Sequence, residues 1–275
     1  MQGSAFARRR HAHPPEVHSF VSKMSSCYAS QMRIVVLSDI HANYEALTSV
    51  LHDIAQSFPD VSEIISLGDI VGYGPDPELC VKTVQEHGII SIAGNHELGV
   101  GRSKYRSCFN KQSVEVVDKT AQLLSEESLE YLRSLPLVLS LHGALFVHGL
   151  PPRSAFQYIW ELDDERVLLK FSRFPEQVAF LGHTHELGLV SAVNGSVVRG
   201  DLKEGTHTLD FTSRYMVNAG AVGQPRDGDP RAKYLVWDTE SHELIVRCVA
   251  YDPTETVAKM KAIGMPERYA RRLLP

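Results

Sequence analysis

Closely spaced cysteines and long apolar runs are both missing from this 275-residue chain. Its four cysteines, Cys27, Cys80, Cys108 and Cys248, lie far apart, so the sequence predicts neither a disulfide framework nor a zinc–thiolate site. This cysteine usage favours a reducing, cytoplasmic location. The longest apolar candidate, residues 135–150, is interrupted by a proline, a serine and two histidines, so we expect no transmembrane helix and no membrane partner.

Positive charge is also scarce outside the N-terminal segment. The formal net charge is −5, with +3 on residues 1–31 and −8 on residues 32–275. Proteins that bind long nucleic acids use a broad positive field to displace counterions, so such a partner is not expected. A hydrophobic content of 43% and a charged content of 22% are ordinary for a globular domain and exclude a largely disordered chain. The composition is compatible with self-association into a homo-oligomer.

The first 31 residues show no apolar periodicity and carry three consecutive arginines, Arg8, Arg9 and Arg10. A segment rich in arginine and serine and poor in acidic residues is typical of an organellar transit peptide. Alternatively, Met32, which directly precedes the first predicted strand, is the functional start, and the upstream residues are a disordered extension. We predict a basic extension or targeting segment over residues 1–31 and one domain over residues 32–275.

From residue 33 onward, the hydrophobic pattern alternates between strand and helix. Strands are predicted at 33–38, 63–67 and 89–93, with helices at 43–56 and 77–87 between them. This βαβαβ order predicts a parallel sheet covered by helices and joined by right-handed crossovers. Two more helices, at 110–124 and 125–134, form an insertion. We expect the inserted region, residues 99–134, to cap the site and to influence substrate selectivity.

The second half of the chain is richer in strands. The predicted strands are 137–141, 144–147, 177–181, 187–193, 196–199, 214–218, 234–238 and 243–250. Residues 194–195, Asn-Gly, separate two of them and are a strong hairpin signal. Helices at 253–263 and 266–273 follow. We therefore predict an α/β domain in which two sheets are flanked by helices.

Polar residues that could bind a metal or take part in catalysis follow five of the predicted strands. In chain order they are Asp39 and His41, Asp69, Asn95 and His96, His148, and His183 and His185. Ligands of α/β sheets bind outside the carboxyl ends of the strands, so these loops should converge on one crevice. The spacing of two between Asp39 and His41 places both side chains on the same side of an extended backbone, and His183 and His185 repeat it.

These residue types fit a pair of metal ions. Asp69 can bridge them, because a carboxylate can bind one metal with each oxygen. Nitrogen and oxygen ligands without thiolate favour manganese, our expected ion, or iron, zinc, cobalt or nickel over a magnesium-only or calcium site. Two divalent ions, Asp39, Asp69 and a bridging hydroxide leave a net charge of about +1, which suits a phosphate group. His96 is not needed as a ligand and is placed to protonate the leaving oxygen or to stabilise charge.

The ordered motifs resemble those of the calcineurin-like metallophosphoesterase superfamily. They are Asp39-x-His41, Gly68-Asp69, Gly94-Asn95-His96-Glu97, His148-Gly149 and Gly182-His183-Thr184-His185. Residues 73–77 and 218–231 resemble its small bacterial-type phosphodiesterase branch, so the resemblance spans nearly all of residues 32–275. It implies a four-layer αββα sandwich with two mixed sheets. It also implies one metal held by Asp39, His41, Asp69 and His185, and a second held by Asp69, Asn95, His148 and His183.

Three further residues, Arg226, Tyr73 and Asn110, are candidates for substrate contact. Arg226 either holds its own loop through ion pairs with Asp227 or Asp229, or binds a substrate phosphate. Tyr73 follows the bridging aspartate and Asn110 begins the inserted helices, and a packing role is favoured for both.

Three residues depart from the family pattern, and one of them bears on function. Tyr73 stands where protein Ser/Thr phosphatases of the superfamily carry a phosphate-clamping arginine, which argues against that class. Ala42 and Glu97 stand where glycine and aspartate are more common, but they lie beside ligands rather than at ligand positions.

The sequence thus predicts a dinuclear metal-dependent phosphoesterase. A metal-bridging hydroxide would attack phosphorus directly, with no phosphoenzyme, while His96 assists the leaving group. The expected substrate is a small phosphodiester or phosphoanhydride, including nucleotides such as dinucleoside polyphosphates. The alternatives are a phosphomonoesterase or protein phosphatase of the same superfamily, or a non-catalytic protein-binding scaffold similar to a retromer subunit of this fold. The complete ligand set and His96 favour catalysis.

Overall fold

The computed structural model describes residues 32–274, so the predicted extension or targeting segment, residues 1–31, lies outside the described residues. The first half contains β1 (Arg33–Leu37), α1 (Tyr44–Ser57), β2 (Val61–Ser66), α2 (Pro77–Glu86), β3 (Ile90–Ser91), α3 (Asn95–Gly101), α4 (Lys111–Gln122), α5 (Glu126–Ser134), β4 (Val138–Leu141) and β5 (Ala144–Val147).

The second half contains α6 (Asp164–Phe171), β6 (Val178–Leu181), β7 (Leu187–Val193), β8 (Ser196–Gly200), β9 (Gly205–Thr208), β10 (Arg214–Ala219), β11 (Ala232–Asp238), β12 (Glu243–Val249), α7 (Thr254–Ala262) and α8 (Glu267–Arg271). Two 3-10 helices cover Ser103–Cys108 and Ile159–Glu161. None of the helices in the described part is long and apolar enough to cross a membrane.

The strands form two mixed sheets of six strands each. In the first, with the order β3-β2-β1-β11-β12-β9, the strands β1, β2 and β3 run parallel, as the βαβαβ pattern predicts, and the other pairings are antiparallel. The second has the order β4-β5-β6-β10-β7-β8, and its central strands β5, β6 and β10 are parallel. The parallel strands of both sheets end where the functional loops begin.

The two sheets pack face to face through an apolar core. Ile34 and Val36 of β1 belong to the same buried cluster as Phe146 of β5 and Phe180 of β6. The ring centroid of Phe180 lies 5.4 Å from that of Trp237 in the opposite sheet. Because side chains alternate along a strand, the intervening residues of β1 face away from this core, toward the helices.

Helices cover the outer face of each sheet. Val35 of β1 packs with Leu47 and Val50 of α1, while Val167 of α6 packs with Leu145 of β5. These layers confirm the predicted αββα sandwich. The inserted helices α4 and α5 contribute to the same outer cluster as α1, and their role as a cap stays a prediction.

Some elements were not predicted. The helix α6 and the strand β9 have no counterpart in the sequence analysis, and β3 has two residues where a five-residue strand was expected. β3 ends at Ser91, and the chain enters the helix α3 only four residues later, at Asn95. This helix start, which the pattern placed in a loop, affects the geometry of the site.

A partly buried polar contact joins α1 to the first sheet. Asp53 of α1 accepts a hydrogen bond of 2.6 Å from the Tyr234 hydroxyl and bonds of 2.8 and 3.1 Å from the Arg247 guanidinium. Burial alone would raise the pKa of Asp53, but the bonds from Arg247 and Tyr234 outweigh it and lower the pKa below 3.8. The ionised carboxylate therefore stabilises the folded state.

We expect Asp53→Asn to lower the free energy of unfolding by about 1–3 kcal/mol at neutral pH, because charged hydrogen bonds are weakened. The folded pKa of Asp53 is depressed, so its contribution is present above the unfolded value and is lost as pH falls toward the folded value. Denaturant unfolding should show that the difference between wild type and variant shrinks at about pH 3. An equal difference at both pH values would contradict this account.

Candidate metal centre

The loops that follow β1, β2, β3, β5 and β6 meet at one end of the two sheets. Backbone hydrogen bonds tie them together, from Asp39 N to Gly68 O (3.1 Å) and from Gly182 N to His148 O (2.8 Å). The structure brings together all of the predicted ligands and His96, and all of these side chains are buried. They divide into two clusters.

The first cluster contains Asp39, His41 and His185. Asp39 Oδ1 lies 3.2 Å from His185 Nε2 and 3.6 Å from His41 Nε2, and the two Nε2 atoms are 3.2 Å apart. Two imidazole lone pairs and a carboxylate oxygen thus face the same point.

The second cluster contains Asp69, His148 and His183, with Asn95 beside them. His148 Nε2 lies 3.2 Å from Asp69 Oδ2 and 3.1 Å from Asn95 Oδ1. This donor set matches the second metal site that the family resemblance implies.

In each of the four ligand histidines, the ring nitrogen that points away from the cluster forms a hydrogen bond with a backbone carbonyl. The pairs are His41 Nδ1 with Val71 O (3.0 Å), His148 Nδ1 with Leu67 O (2.9 Å), His183 Nε2 with Phe156 O (3.2 Å) and His185 Nδ1 with Gln224 O (2.6 Å). A carbonyl accepts only from N–H, so each bond fixes a tautomer and leaves the remaining nitrogen as a lone-pair donor. That nitrogen is Nδ1 in His183 and Nε2 in the other three histidines.

Asp69 joins the two clusters through one oxygen. Its Oδ1 accepts a hydrogen bond of 2.8 Å from the backbone N–H of His96. Its Oδ2 lies 3.6 Å from His41 Nε2 and 3.2 Å from His148 Nε2. Oδ2 therefore faces both clusters, whereas Oδ1 accepts a hydrogen bond from the first turn of α3. This geometry favours one shared oxygen over the predicted arrangement in which each oxygen binds one metal, and that arrangement stays a prediction.

The two carboxylate oxygens of Asp39 differ in their hydrogen bonding, and the difference shows whether the site suits a metal ion. Its Oδ2 accepts bonds from Ser38 Oγ (2.6 Å) and His183 N (3.0 Å), whereas Oδ1 is buried without a hydrogen-bond partner among the described residues. A buried carboxylate oxygen without a partner is costly unless it coordinates a cation. The donors present therefore fit a divalent metal ion.

Charge coupling within the site is strong. Burial alone would raise the pKa values of Asp39 and Asp69, yet neighbouring histidines, chiefly His185 for the former and His148 for the latter, lower both. Burial alone would lower the pKa of His148, but Asp69 raises it to about 9. A proton thus balances Asp69 when no metal is bound, and a metal ion would replace it.

The ligand loops adopt an uncommon backbone conformation. Asp39, His41, Asp69, His183 and His185 have φ values between 50° and 69°, in the left-handed region. This region costs of order 1 kcal/mol or more for a residue other than glycine, and it persists where the surroundings dictate the conformation. Such clustering is typical of functional sites.

Two glycines allow these loops to approach closely. A Cβ atom on Gly182 would lie 1.9 Å from Ser38 Oγ, and one on Gly94 would lie 2.1 Å from Asp69 Oδ1. Any larger residue would displace an aspartate of the site.

Glu97 has a structural role that the sequence analysis did not assign. Its Oε2 accepts bonds from Asp69 N (2.7 Å) and Gly94 N (2.8 Å), and its Oε1 accepts one from Val71 N (3.2 Å). Burial, followed by the nearby Asp69, raises the pKa of Glu97 to about 7. Glu97 stands at N3 of α3, from which a glutamate can accept from the N–H of the N-cap residue Gly94, and this spacing is the sequence signal that was available.

His96 lies against the first cluster with its ring between aromatic groups. Its centroid is 4.6 Å from that of Tyr73, 4.9 Å from that of His41 and 5.6 Å from that of Phe109 in the insertion. Its Nδ1 is buried without a partner among the described residues. Burial lowers the pKa of His96 to about 3, so the imidazole is neutral near neutral pH and can donate a hydrogen bond.

The other two substrate candidates differ from each other. Asn110 is exposed and caps α4, where its Oδ1 accepts a bond of 2.9 Å from Ser113 N. Arg226 donates to Gln224 Oε1 (3.1 Å), and its guanidinium lies 5.9 Å from the Tyr73 ring. The packing role favoured for Asn110 is thus a helix cap.

The carboxylates that could hold Arg226 are paired with other cations. Asp227 Oδ1 accepts from Lys233 Nζ at 2.7 Å, and Asp229 Oδ2 accepts from Arg231 Nη2 at 2.6 Å. The interpretation of Arg226 as the ion-pair partner of Asp227 or Asp229 is therefore wrong in this structure.

An aromatic stack leads outward from the second cluster. The Tyr158 ring stacks on His183 with centroids 3.9 Å apart, and Trp160 stacks on Tyr158 at 4.3 Å, each at an interplanar angle of 16°. Trp160 is 54% exposed. Its place on a short 3-10 helix gave no periodic signal in the sequence.

Comparison with known proteins shows the family. Residues 32–242 match the calcineurin-like phosphoesterase superfamily domain. The chain belongs to this superfamily. This calcineurin-like phosphoesterase is 34% identical over 244 residues to the uncharacterized protein MJ0912 of Methanocaldococcus jannaschii, and the match covers 87% of this chain and 96% of that protein.

Solved structures agree. This calcineurin-like phosphoesterase is similar to a metallophosphoesterase from Sphaerobacter thermophilus, with 35% identity and a TM-score of 0.73 over 88% of this chain and 98% of that one. Hypothetical protein PH1004 from Pyrococcus horikoshii OT3 shares the fold, with 19% identity and a TM-score of 0.72 over 88% of this chain and 97% of that one. The superfamily uses divalent metal ions, and the two ligand clusters are the candidate positions for them.

Proposed function

We propose that this calcineurin-like phosphoesterase hydrolyses small phosphodiesters or phosphoanhydrides at a dinuclear metal centre. The observation that carries the proposal is the pair of ligand clusters that share Asp69 Oδ2, in which every histidine is fixed by a backbone carbonyl. When bound, two divalent ions supply an activated water and polarise the phosphoryl oxygens. Manganese is the ion that we expect, from the nitrogen and oxygen donors.

Residues of the chain perform the remaining tasks. The ligand histidines and aspartates hold the charged site, and the backbone carbonyls hold the histidines in place. His96, neutral and with a buried ring nitrogen that lacks a partner, donates a hydrogen bond to the oxygen that leaves phosphorus. Tyr73 packs its ring against His41 and His96 and so shapes the wall of the site.

The alternatives fit the site less well. A protein phosphatase of the Ser/Thr class would use an arginine at the position of Tyr73, whose partly buried ring lies there instead. A scaffold has no need of tautomer-fixed ligands or of a buried partnerless carboxylate oxygen on Asp39. The predicted cytoplasmic or organellar location and self-association stay predictions.

The stack of Tyr158 and Trp160 supports a nucleotide as part of the substrate. One face of the Trp160 ring lies against Tyr158, and the side chain is still half exposed. Aromatic rings presented in this way bind nucleobases without strong base preference.

We expect Trp160→Ala to raise KM for a nucleotide substrate about 5- to 100-fold, because base–aromatic stacking contributes about 1–3 kcal/mol. Trp160→Phe should recover part of the loss. Leu169→Ala, which alters a comparably exposed apolar residue on α6, is the control and should leave KM unchanged. Steady-state kinetics with p-nitrophenyl thymidine 5′-phosphate give KM for all three variants. An unchanged KM for Trp160→Ala would show that the stack does not bind the substrate.

The reaction class is tested with chelator-stripped protein supplied with manganese. Bis-p-nitrophenyl phosphate and p-nitrophenyl phosphate are compared as diester and monoester. We expect diester cleavage that returns only with metal. A preference for the monoester would favour the phosphomonoesterase alternative, and no turnover by folded, metal-loaded protein would favour the scaffold.

A further inference from the structure

Two arginines, Arg226 and Arg272, meet at Gln224 beside the first cluster. Arg226 Nη2 and Arg272 Nη1 both donate to Gln224 Oε1, at 3.1 and 3.4 Å. The guanidinium groups of Arg272 and Arg268 lie 5.9 and 4.6 Å from the ring of Tyr269 on α8. Arg272, the residue that directly follows α8, thus reaches the loop that holds Arg226.

These charges are not neutralised within the described part of the chain. Among residues 32–274, no carboxylate forms an ion pair with Arg226, Arg268 or Arg272, since the nearby acidic groups pair with Arg231, Lys233 and Arg271. The Nε atom of Arg226 is buried and has no partner in the same range. Burial and the neighbouring Arg226 both lower the pKa of Arg272. An anion would relieve this repulsion.

Gln224 connects the arginines to the metal centre. Its backbone carbonyl accepts the Nδ1–H of the ligand His185 at 2.6 Å, and its side-chain oxygen accepts from two guanidinium groups. Arg226 N in turn donates to His185 O at 3.1 Å. Tyr73, whose ring is 4.6 Å from that of His41, lies 5.9 Å from the Arg226 guanidinium. The arginines therefore adjoin the place where a phosphate bound to the metals would lie.

We propose that Arg226 and Arg272, positioned by Gln224, form an anion subsite for the phosphate next to the one that is attacked. The inference rests on the proposed function and narrows its substrate class to phosphoanhydrides such as nucleoside polyphosphates. A simple diester with two alcohol groups has no second phosphate to place there. Planar guanidinium groups suit a phosphate because they donate two parallel hydrogen bonds.

The subsite has a direct role in anhydride hydrolysis. One water is consumed: its oxygen forms a new bond to the attacked phosphorus while the bond from that phosphorus to the bridging oxygen breaks. The bridging oxygen departs with the neighbouring phosphate, one proton of the water ends on that phosphate, and the other goes to solvent. Negative charge grows on the departing phosphate, where the arginines stabilise it.

The simplest competing role for Arg272 is to pack on Tyr269 and hold α8 in place. Arg271→Gln is a matched control for the charge change, because Arg271 is the adjacent residue, is exposed and pairs with Glu267 instead. Purified wild type, Arg226→Gln, Arg272→Gln and Arg271→Gln are compared after loading with manganese. The substrates are diadenosine triphosphate and bis-p-nitrophenyl phosphate.

The measured quantity is the ratio of kcat/KM for diadenosine triphosphate to that for the diester. We expect Arg226→Gln and Arg272→Gln to lower this ratio about 10- to 100-fold, as loss of a charge-assisted hydrogen bond does, whereas Arg271→Gln leaves it unchanged. An equal fall for both substrates, or an unchanged ratio, would overturn the subsite while leaving the phosphoesterase function standing. Wild-type cleavage of the diester alone would also overturn it.

Calorimetric binding of inorganic tripolyphosphate to metal-free protein tests the subsite without catalysis. We expect Kd to rise about 10- to 100-fold in Arg226→Gln and Arg272→Gln and to stay at the wild-type value in Arg271→Gln. Equal affinity in all four proteins would overturn the proposal. If none of the proteins hydrolyses either substrate but this pattern holds, the proposed function fails and the anion subsite stands.

Discussion

Asp69→Asn should lower kcat/KM for bis-p-nitrophenyl phosphate by about a thousandfold or more, equivalent to roughly 4 kcal/mol of transition-state stabilisation. Asp69 Oδ2 is the carboxylate atom that faces both ligand clusters, at 3.6 Å from His41 Nε2 and 3.2 Å from His148 Nε2. An amide removes the negative charge at the shared position, so both metal sites weaken together. Initial rates and metal content by plasma mass spectrometry measure the two effects.

The matched control is Asp118→Asn, the same chemical change at an exposed position on α4 that pairs with Arg106. Rate and metal content should both equal those of the wild type. If Asp69→Asn itself kept two ions per chain, the shared position of Oδ2 would have no functional meaning. If it lost only one ion, the two clusters would be independent.

His96→Gln should lower kcat about 10²- to 10³-fold, the range expected for loss of a hydrogen-bond donor that stabilises negative charge on the leaving oxygen. Metal content should stay unchanged. The His96 ring is buried against Tyr73 and the first cluster, and its Nδ1 has no partner among the described residues. We therefore expect His96 to act on the substrate.

A competing role for His96 is that of a further metal ligand, because one of its ring nitrogens lies within 4.8 Å of ligand atoms of His41 and Asp69. Under that role, His96→Gln would lose metal in proportion to activity. His142→Gln, in the turn between β4 and β5, is the control for the histidine-to-glutamine change and should alter neither quantity.

The positions of the ligands could be predicted from the sequence because each follows a strand. Strands such as β1 and β6 are short apolar runs, and the polar residue after each run is forced to the same end of the sheets. Periodicity identifies such runs well. It cannot identify which atom of a side chain is free, and the two oxygens of Asp69 illustrate this limit. Their roles depend on the N–H of His96, which is available because α3 begins at Asn95.

Contacts between distant segments account for the other differences. Lys233 is almost fully buried in β11 and requires a carboxylate, so it takes Asp227 and leaves Arg226 without one. No local sequence pattern shows that Lys233 is buried and needs a carboxylate partner. The carbonyl partners of the ligand histidines could not be predicted from the sequence either. Every residue has a carbonyl, and only the fold decides which one faces an imidazole ring. Trp160 lies on a helix of three residues, too short for any periodicity.

We expect two metal ions to lie on either side of Asp69 Oδ2. A crystal structure of manganese-loaded protein, with anomalous scattering recorded at a wavelength where manganese scatters strongly, tests it most directly. The expected result is two anomalous peaks, one beside Asp39, His41 and His185 and the other beside Asn95, His148 and His183, with Asp69 Oδ2 bound to both ions. A single peak, or two ions each bound by a different oxygen of Asp69, would contradict it.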